Sequence, residues 1–483
     1  MTSAAPVEPT NGLANGTPKI APKTAIVLAG HGSHITAATA GVVWNQVDIL
    51  RKMGVADEVT AAFWKESPSF HEVLKTLSAT DITIVPMFTA HGYFTQMVIP
   101  AEMGLHGALT MRDGRTIRYT RTLGDHPHIA DIVQAHVRQA IGEASADQVA
   151  VAILGHSTKR NPESRKATEA QVAHVQAAGL ASEVIALFLD DTPGIEQVYE
   201  LTSAPIIVAV PYFLAPGSHA TIDVPARLGL PVGTTRGDIQ GRTVIYTAPV
   251  GEDALITQMI LDLAREAGSP LHEARSGGSP WQGFPMVGRA ELWQAVRAAK
   301  TLTFGQLELT PFEVHPLLTV SANSALDSST PGQCLPTPGA LRKHVRSEPL
   351  RPLATSDDLL NGWYSAVNSP DQLHAIVETV YPGLVADWAA AAQNTFVTNS
   401  LETVAARQSG MYRELAALTP TQRAEVVDRV CGHCVRHPSW FDGQVGALPC
   451  AEPCNVWLST ALSLLENTDE SLSPVSSVET EQP

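Results

Sequence analysis

The stretch PYFLAPGSHATIDVP at 211–225 has a partner, PMFTAHGYFTQMVIP at 86–100, displaced by 125 residues. Pro86, Phe88, Ala90, Gly92 and Pro100 return as Pro211, Phe213, Ala215, Gly217 and Pro225. The same offset pairs Gly30-His31 with Gly155-His156 and Gln46-Val47 with Gln171-Val172. It pairs Gly54, Glu58, Val59, Phe63 and Pro68 with Gly179, Glu183, Val184, Phe188 and Pro193, and Ala101 and Gly104 with Ala226 and Gly229. No gap is needed from 30 to 104. One register held that long marks an internal duplication, so one small unit must be built twice.

Each copy has the same order of elements. An apolar run comes first, TAIVLA at 24–29 and VAVAIL at 149–154. Helix-compatible stretches follow at 36–53 and 163–178, then strands around Val59–Phe63 and Val184–Leu189. Helices at 68–78 and 193–202 lead to ITIVPMF and PIIVAVPYF. Strands alternating with helices predict parallel βαβ units with helices on both sheet faces. Ligands in such sheets sit beyond the carboxyl ends of strands. His156 and His219 both fall just past strand ends and are expected to meet in one cleft.

The copies differ where chemistry would sit. Phe94 stands at the position of His219, Val98 at that of Asp223 and Lys65 at that of Asp190. His91, three residues before Phe94, is a possible substitute. After His156 comes STKRNPESRK, with Lys159, Arg160, Arg165 and Lys166 against Glu163; the matching GSHITAATAG carries no formal charge. Such a cationic helix start suits a carboxylate-bearing ligand, and equally suits a solvated helix terminus. Asp223 reads as a helix N-cap before PARLG. DHPH at 125–128 reads as a cap and turn. Glu183 is kept as Glu58, which points to a shared structural role.

GHS after one strand and P-x-F-L-x-x-G-x-H-x-x-x-D-V-P after a later one resemble the class II tetrapyrrole chelatases: the sirohydrochlorin cobaltochelatases of the CbiX type and the related ferrochelatases. The resemblance covers residues 23–268. It implies two tandem flavodoxin-like, parallel-sheet half-domains of α/β class. It also implies insertion of a divalent metal into a tetrapyrrole by two histidines and an acidic residue. His156, His219 and Asp190 are then the catalytic and metal-holding set, in the second half. Ser157, Arg160, Arg165 and Ser218 are candidate substrate contacts. Neutral imidazole binds Co²⁺, Fe²⁺, Ni²⁺ and Zn²⁺ without the grip of thiolates, and accepts a proton near neutral pH.

The repeat ends near SGGSPWQGFP at 276–285. Beyond it, helix-like spacing at 286–300, 357–368, 370–378, 384–394, 400–417 and 419–430 predicts a mostly helical domain, with a few strands near 301–320. Residues 323–355 are polar and Pro-rich and read as loop. VCGHCVRHPSWFDGQVGALPCAEPCNVWL places Cys431, Cys434, Cys450 and Cys454 in a C-x2-C-x15-C-x3-C array. Four thiolates so spaced suit an iron–sulfur cluster or structural Zn²⁺, with His433 able to replace one ligand. The array resembles long chelatases that carry a C-terminal [4Fe-4S] domain, which implies the cluster. Cys334 stands alone.

The expected divisions are a tail at 1–22, half-domains at 23–146 and 147–270, a cysteine-bearing domain at 285–466 and an acidic tail at 467–483. The 483-residue chain has a formal charge of −16, which argues against a general nucleic-acid binder. No charge-free apolar run of about 18 residues predicts a membrane span, and the expected setting is cytoplasmic. The expected partners are a tetrapyrrole and a divalent metal; oligomeric state is not legible. Alternatives to an enzyme are a metal or tetrapyrrole carrier without turnover, or a redox sensor built on a degenerate chelatase. Neither strand–turn–helix carries a nucleotide-binding glycine motif.

Overall fold

A computed structural model describes residues 23–157, 161–311, 318–322, 333–345, 358–407, 412–436, 440 and 448–470. The expected tail at 1–22, Lys159, Arg160, residues 471–483 of the acidic tail and most of the predicted loop 323–355 lie outside these residues.

The first sheet comprises β1 (Thr24–Gly30), β2 (Glu58–Phe63), β3 (Asp81–Pro86), β4 (Leu109–Arg112) and β5 (Arg115–Tyr119) in the order β2-β1-β3-β5-β4. The second repeats it with β6 (Val149–Gly155), β7 (Glu183–Phe188), β8 (Ile206–Pro211), β9 (Arg236–Ile239) and β10 (Arg242–Tyr246), in the order β7-β6-β8-β10-β9. All pairings are parallel except the hairpins β4–β5 and β9–β10. β1 and β6 are buried along their whole length, which explains their unbroken apolar runs. The hairpins were not foreseen. Their turns place Asp113 and Gln240 at φ 52°, before Gly114 and Gly241 at 72° and 74°. Residue-Gly turns with two positive φ values suit the twist of a two-residue hairpin.

The halves share one core. Helix His128–Ile141, which closes the first half, packs on β8; helix Leu255–Glu266, which closes the second, packs on β3. Val47, Leu50, Ile132, Val208, Val210 and Met259 are buried together in this shared layer. At Gly124 a Cβ would fall 1.8 Å from the Thr89 carbonyl oxygen, and at Gly251 1.9 Å from that of Leu214. Only glycine permits that close approach at both joints.

The outer faces differ. Leu154, Leu187, Ile207, Val224 and Leu228 of the second half pack among that half's own elements. The outer face of the first half, with Val27, Phe70 and Ile82, is covered by Leu401, Val404 and Trp457 of the cysteine-bearing region. The segment read as a boundary is a strap along edge strand β2. The Val59 N–H donates to Gly283 O at 2.7 Å, and the buried Arg51 guanidinium lies 3.4 Å from the Phe284 ring centre. An edge so covered cannot pair with another chain.

Past the strap, β11 (Leu302–Phe304), β12 (Leu307–Pro311), β13 (Leu318–Ala322), β14 (Gln333–Cys334) and β15 (Trp363–Val367) form a third sheet, in the order β11-β12-β13-β15-β14. Helices Arg289–Ala298, Pro370–Val380 and Leu384–Ala392 contribute to the core beside it, and helices Leu401–Arg407, Pro420–Cys431 and Asn455–Glu470 carry the cysteine region. The region is helical as expected, with two corrections. The helix expected over 357–368 gives way to strand β15, in which Trp363, Ser365 and Val367 alternate inward at period two. The loop expected over 323–355 contains helix Pro338–His344, capped by the Thr337 hydroxyl. The last helix runs to Glu470, beyond the expected limit at 466. Among the described residues no helix is long and apolar enough to cross a membrane.

Candidate functional site

β6 ends at Gly155, where a Cβ would stand 2.1 Å from the Thr168 hydroxyl. Glycine there lets helix Glu163–Ala177 close on the strand end, and His156 is the next residue. β8 ends at Pro211. Eight residues later the chain enters a single π-helical turn, His219–Asp223. Its counterpart 125 residues earlier is the π-turn Phe94–Val98. Such turns are rare and re-aim side chains near functional sites.

The two histidines meet as expected. Their ring centroids are 5.2 Å apart at 82°, and His156 packs edge-on against Phe213 at 5.0 Å. Each imidazole has a carboxylate on its Nδ1 side. His219 Nδ1 lies 2.7 Å from Asp223 Oδ2, and His156 Nδ1 lies 3.5 Å from Asp190 Oδ2. A proton on Nδ1 shared with the carboxylate leaves the Nε2 lone pair for a metal or a proton. Burial lowers the His156 pKa, the charge of His219 lowers it further, and Asp190 opposes both. The cap expected of Asp223 is not made: its carboxylate caps no backbone N–H and is joined to His219. Among the described residues no three His, Cys, Asp or Glu side chains converge as a ready-made site for a single ion. With both Nδ1 sides turned to carboxylates, the pair offers two imidazole Nε2 donors, a set that holds a borderline ion loosely.

The first half keeps the shape and loses the donors. His31 and Phe94 stand 5.0 Å apart at 74°, the relation His156 has with His219. Phe94 stacks on Phe88 at 5.9 Å. Burial brings His31 down to about 4, and its Nδ1 lies 2.9 Å from Gly32 O. His91 is exposed and engages the Thr95 hydroxyl at 3.2 Å. The half-sites face one cleft. Gly217 approaches Thr39, Gly92 approaches Asn161 and Ser164, and the charges of His156 and His219 reach His31.

Ser157 and Arg165 are brought together, but by a residue the sequence did not single out. Asp191 accepts from the Ser157 hydroxyl at 2.7 Å and from Arg165 Nη2 at 2.9 Å. Arg165 also donates to Thr192 O at 2.6 Å and lies 4.0 Å over the Phe188 ring. These bonds, Arg165 first, hold Asp191 at about 2. Lys166 pairs with Glu163 at 2.7 Å. Both described cations of the basic stretch are thus tied within the chain, and the bonds of Arg165 fix the loop that bears Asp190. Ser218 heads the π-turn beside His219. Two other expectations hold. Asp125 caps its turn with Thr122, and Glu58 and Glu183 bond the backbones of Ser78 and Ser203 at the same offset.

Cys431 ends helix Pro420–Cys431, Cys434 follows by a turn, and Cys450 and Cys454 precede helix Asn455–Glu470. Burial pushes the Cys431 thiol to about 12 and raises Cys450 and Cys454, with neighbouring cysteines adding to each. Arg436 is 4% exposed in their midst. Burial works against its charge, yet Cys434 and Cys450, with Glu72 and Cys454, hold its pKa above the ordinary arginine value. A buried guanidinium facing four thiols fits an anionic, thiolate-bound group. His433 and Cys334 are exposed, Cys334 on β14.

Two segments, 25–140 and 150–267, match the CbiX family profile. A probable sirohydrochlorin cobaltochelatase of Halobacterium salinarum is 32% identical over 52% of this chain and 94% of its own length. The chain belongs to the CbiX family. A sirohydrochlorin cobaltochelatase of Methanopyrus kandleri is 30% identical over 25% of this CbiX chain and 98% of its own length. Residues 289–392 match a DR2241 stabilising domain, and 393–462 match a 4Fe-4S iron–sulfur cluster binding domain that spans all four cysteines. The solved structure of DR2241 from Deinococcus radiodurans covers 92% of this chain and 100% of its own, at 26% identity and a TM-score of 0.73. It is described as a multi-domain protein with structural similarity to chelatases and two additional novel domains.

Proposed function

We propose that this chain inserts a divalent metal ion, Co²⁺ foremost, into sirohydrochlorin or a related tetrapyrrole, and that the second half does so. The observation that carries the reading is the His156–His219 pair, with Asp190 and Asp223 on the Nδ1 sides, present in one half only. The curated relatives named for cobalt favour Co²⁺ over Fe²⁺ or Ni²⁺.

The ion enters on the Nε2 atoms of His156 and His219. Two neutral donors hold a borderline ion loosely, so it can leave for four pyrrole nitrogens. The macrocycle surrenders two N–H protons as the ion arrives. The imidazoles, freed of the metal, accept them, and Asp190 and Asp223 stabilise the resulting imidazolium charge. Arg160, with Ser218, contacts the carboxylates of the macrocycle; the buried Ser157, whose hydroxyl donates to Asp191, and Arg165 act by holding the Asp190 loop through Asp191. Cys431, Cys434, Cys450 and Cys454 hold the cluster, which supplies one-electron exchange when bound.

The test is anaerobic incubation of the protein with sirohydrochlorin and each divalent ion in turn, followed by absorbance. Repeated turnover with at least one ion supports the reading. Binding of metal or macrocycle that stops at one equivalent per chain, with no product released, makes the protein a carrier.

A further inference from the structure

The loop that carries Asp190 in the second half has another use in the first. Its counterpart, residues 64–69, is the seat of the cysteine centre. The Asn455 side-chain amide bonds the Trp64 carbonyl, and Arg436 Nη2 bonds the Ser67 hydroxyl. One cavity is lined by Trp64, Lys65, Ser67, Arg436, Cys450 and Cys454.

Two chains of contact run from this seat and converge on His31. The first is aromatic. Tyr412 stacks on Trp64 at 6.2 Å, Trp64 meets Phe94 at 5.8 Å, and Phe94 meets His31 at 5.0 Å. The second is polar. Arg436 faces the cysteines and holds Ser67; two residues away, the Lys65 N–H donates to His31 O at 2.9 Å. Arg436 Nε has no hydrogen-bond partner among the described residues, so a buried donor beside the thiols is left unspent. His31 in turn faces the cleft that holds His156 and His219.

We infer that the first half is a coupling element: Trp64, Phe94 and His31 link the electron count of the cysteine centre to metal affinity at the His156–His219 pair. A cluster gaining an electron gains a negative charge against Arg436, and its reduced form should favour a cation in the cleft. Binding free energies are reciprocal, so metal in the cleft must then favour the reduced cluster. The lysine at position 65 is explained by the same step, since its loop serves the cysteine region instead of an ion, and Phe94 packs on Trp64 of that loop.

The inference rests on Co²⁺ binding at the histidine pair. The experiment is an electron-paramagnetic-resonance redox titration of the anaerobically purified full chain, with and without Co²⁺, beside a separate measurement of Co²⁺ affinity. Coupling of about fivefold, the low end of allosteric effects, raises the cluster midpoint potential by about 40 mV, at 59 mV per tenfold for one electron. In Phe94→Leu and in His31→Gln the shift should fall by more than half while Co²⁺ still binds; two variants guard against one that fails to load its cluster. In the His156→Ala, His219→Ala double variant the shift should vanish. Co²⁺ that binds the wild type without moving the potential overturns the coupling alone. So does a shift that survives undiminished in the variants. Co²⁺ that does not bind the wild type overturns the metal-site reading as well.

Discussion

His219 Nδ1 lies 2.7 Å from Asp223 Oδ2, four residues on, inside one π-helical turn. The matching turn of the first half carries Phe94 and Val98 at those two positions. The two copies share the backbone turn, and only the second carries both members of the pair.

Asp223→Asn keeps the shape of that pair and removes its charge. Metal insertion should fall about tenfold to a hundredfold, the usual cost of losing the carboxylate behind a metal-binding histidine. Steady-state rates with saturating metal check this. An unchanged rate would return Asp223 to an ordinary turn residue.

Arg165→Ala should loosen the 189–193 loop, since Arg165 holds both Asp191 and the Thr192 carbonyl. Its expected signature is a fall in kcat through displaced Asp190, with KM for the macrocycle changed less. Arg160→Ala should do the opposite, raising KM because it binds ground and transition states alike. Indistinguishable profiles for the two variants would contradict the division of roles.

The duplication and the His156–His219 meeting were legible because both are properties of spacing: a fixed offset, and strand ends that share a side of a sheet. Asp223 was not, because an aspartate before Val-Pro-Ala-Arg looks like a cap; the i,i+4 spacing from His219 was the available signal. Asp191 was hidden beside Asp190 in FLDDTP, since adjacent carboxylates cannot be told apart without knowing which faces Arg165. The hairpins carried a readable signal in Asp113-Gly114. The third sheet carried little, because its strands are short and β15 interrupts an apolar pattern of helical spacing.

His374 is 2% exposed, and burial brings it from 6.5 to about 4. The unfolded chain takes up that proton first as pH falls, so the stability cost of this histidine is absent well above pH 6.5, grows between about pH 6.5 and 4, and stays at its full size below that. Glu378 and Asp387, both raised to about 7 by burial, act with the opposite sign. The signal therefore lies in a difference. The stability of His374→Gln relative to wild type should rise by about 2–3 kcal/mol on going from pH 7.5 to 4.5, at about 1.4 kcal/mol per unit of pKa shift. Denaturant unfolding at the two pH values measures it; a difference independent of pH would show that His374 titrates normally.

Protein purified without air should be brown, with iron and acid-labile sulfide each near four per chain for a four-cysteine cubane. Cys450→Ser should lose the colour, and Cys334→Ser, on exposed β14, should keep it. One equivalent of zinc with no sulfide would instead make this a structural zinc domain.

The most direct test of the account compares His219→Phe with His31→Phe in one assay, the initial rate of metal insertion into sirohydrochlorin at saturating metal. His219→Phe rebuilds the first half's ring pair in the second. It should lose at least about a hundredfold, as befits removal of a proton acceptor and metal donor. His31→Phe should stay within about threefold of wild type, since no reacting proton or donor is removed. Equal losses in the two variants would contradict the assignment of the chemistry to the second half.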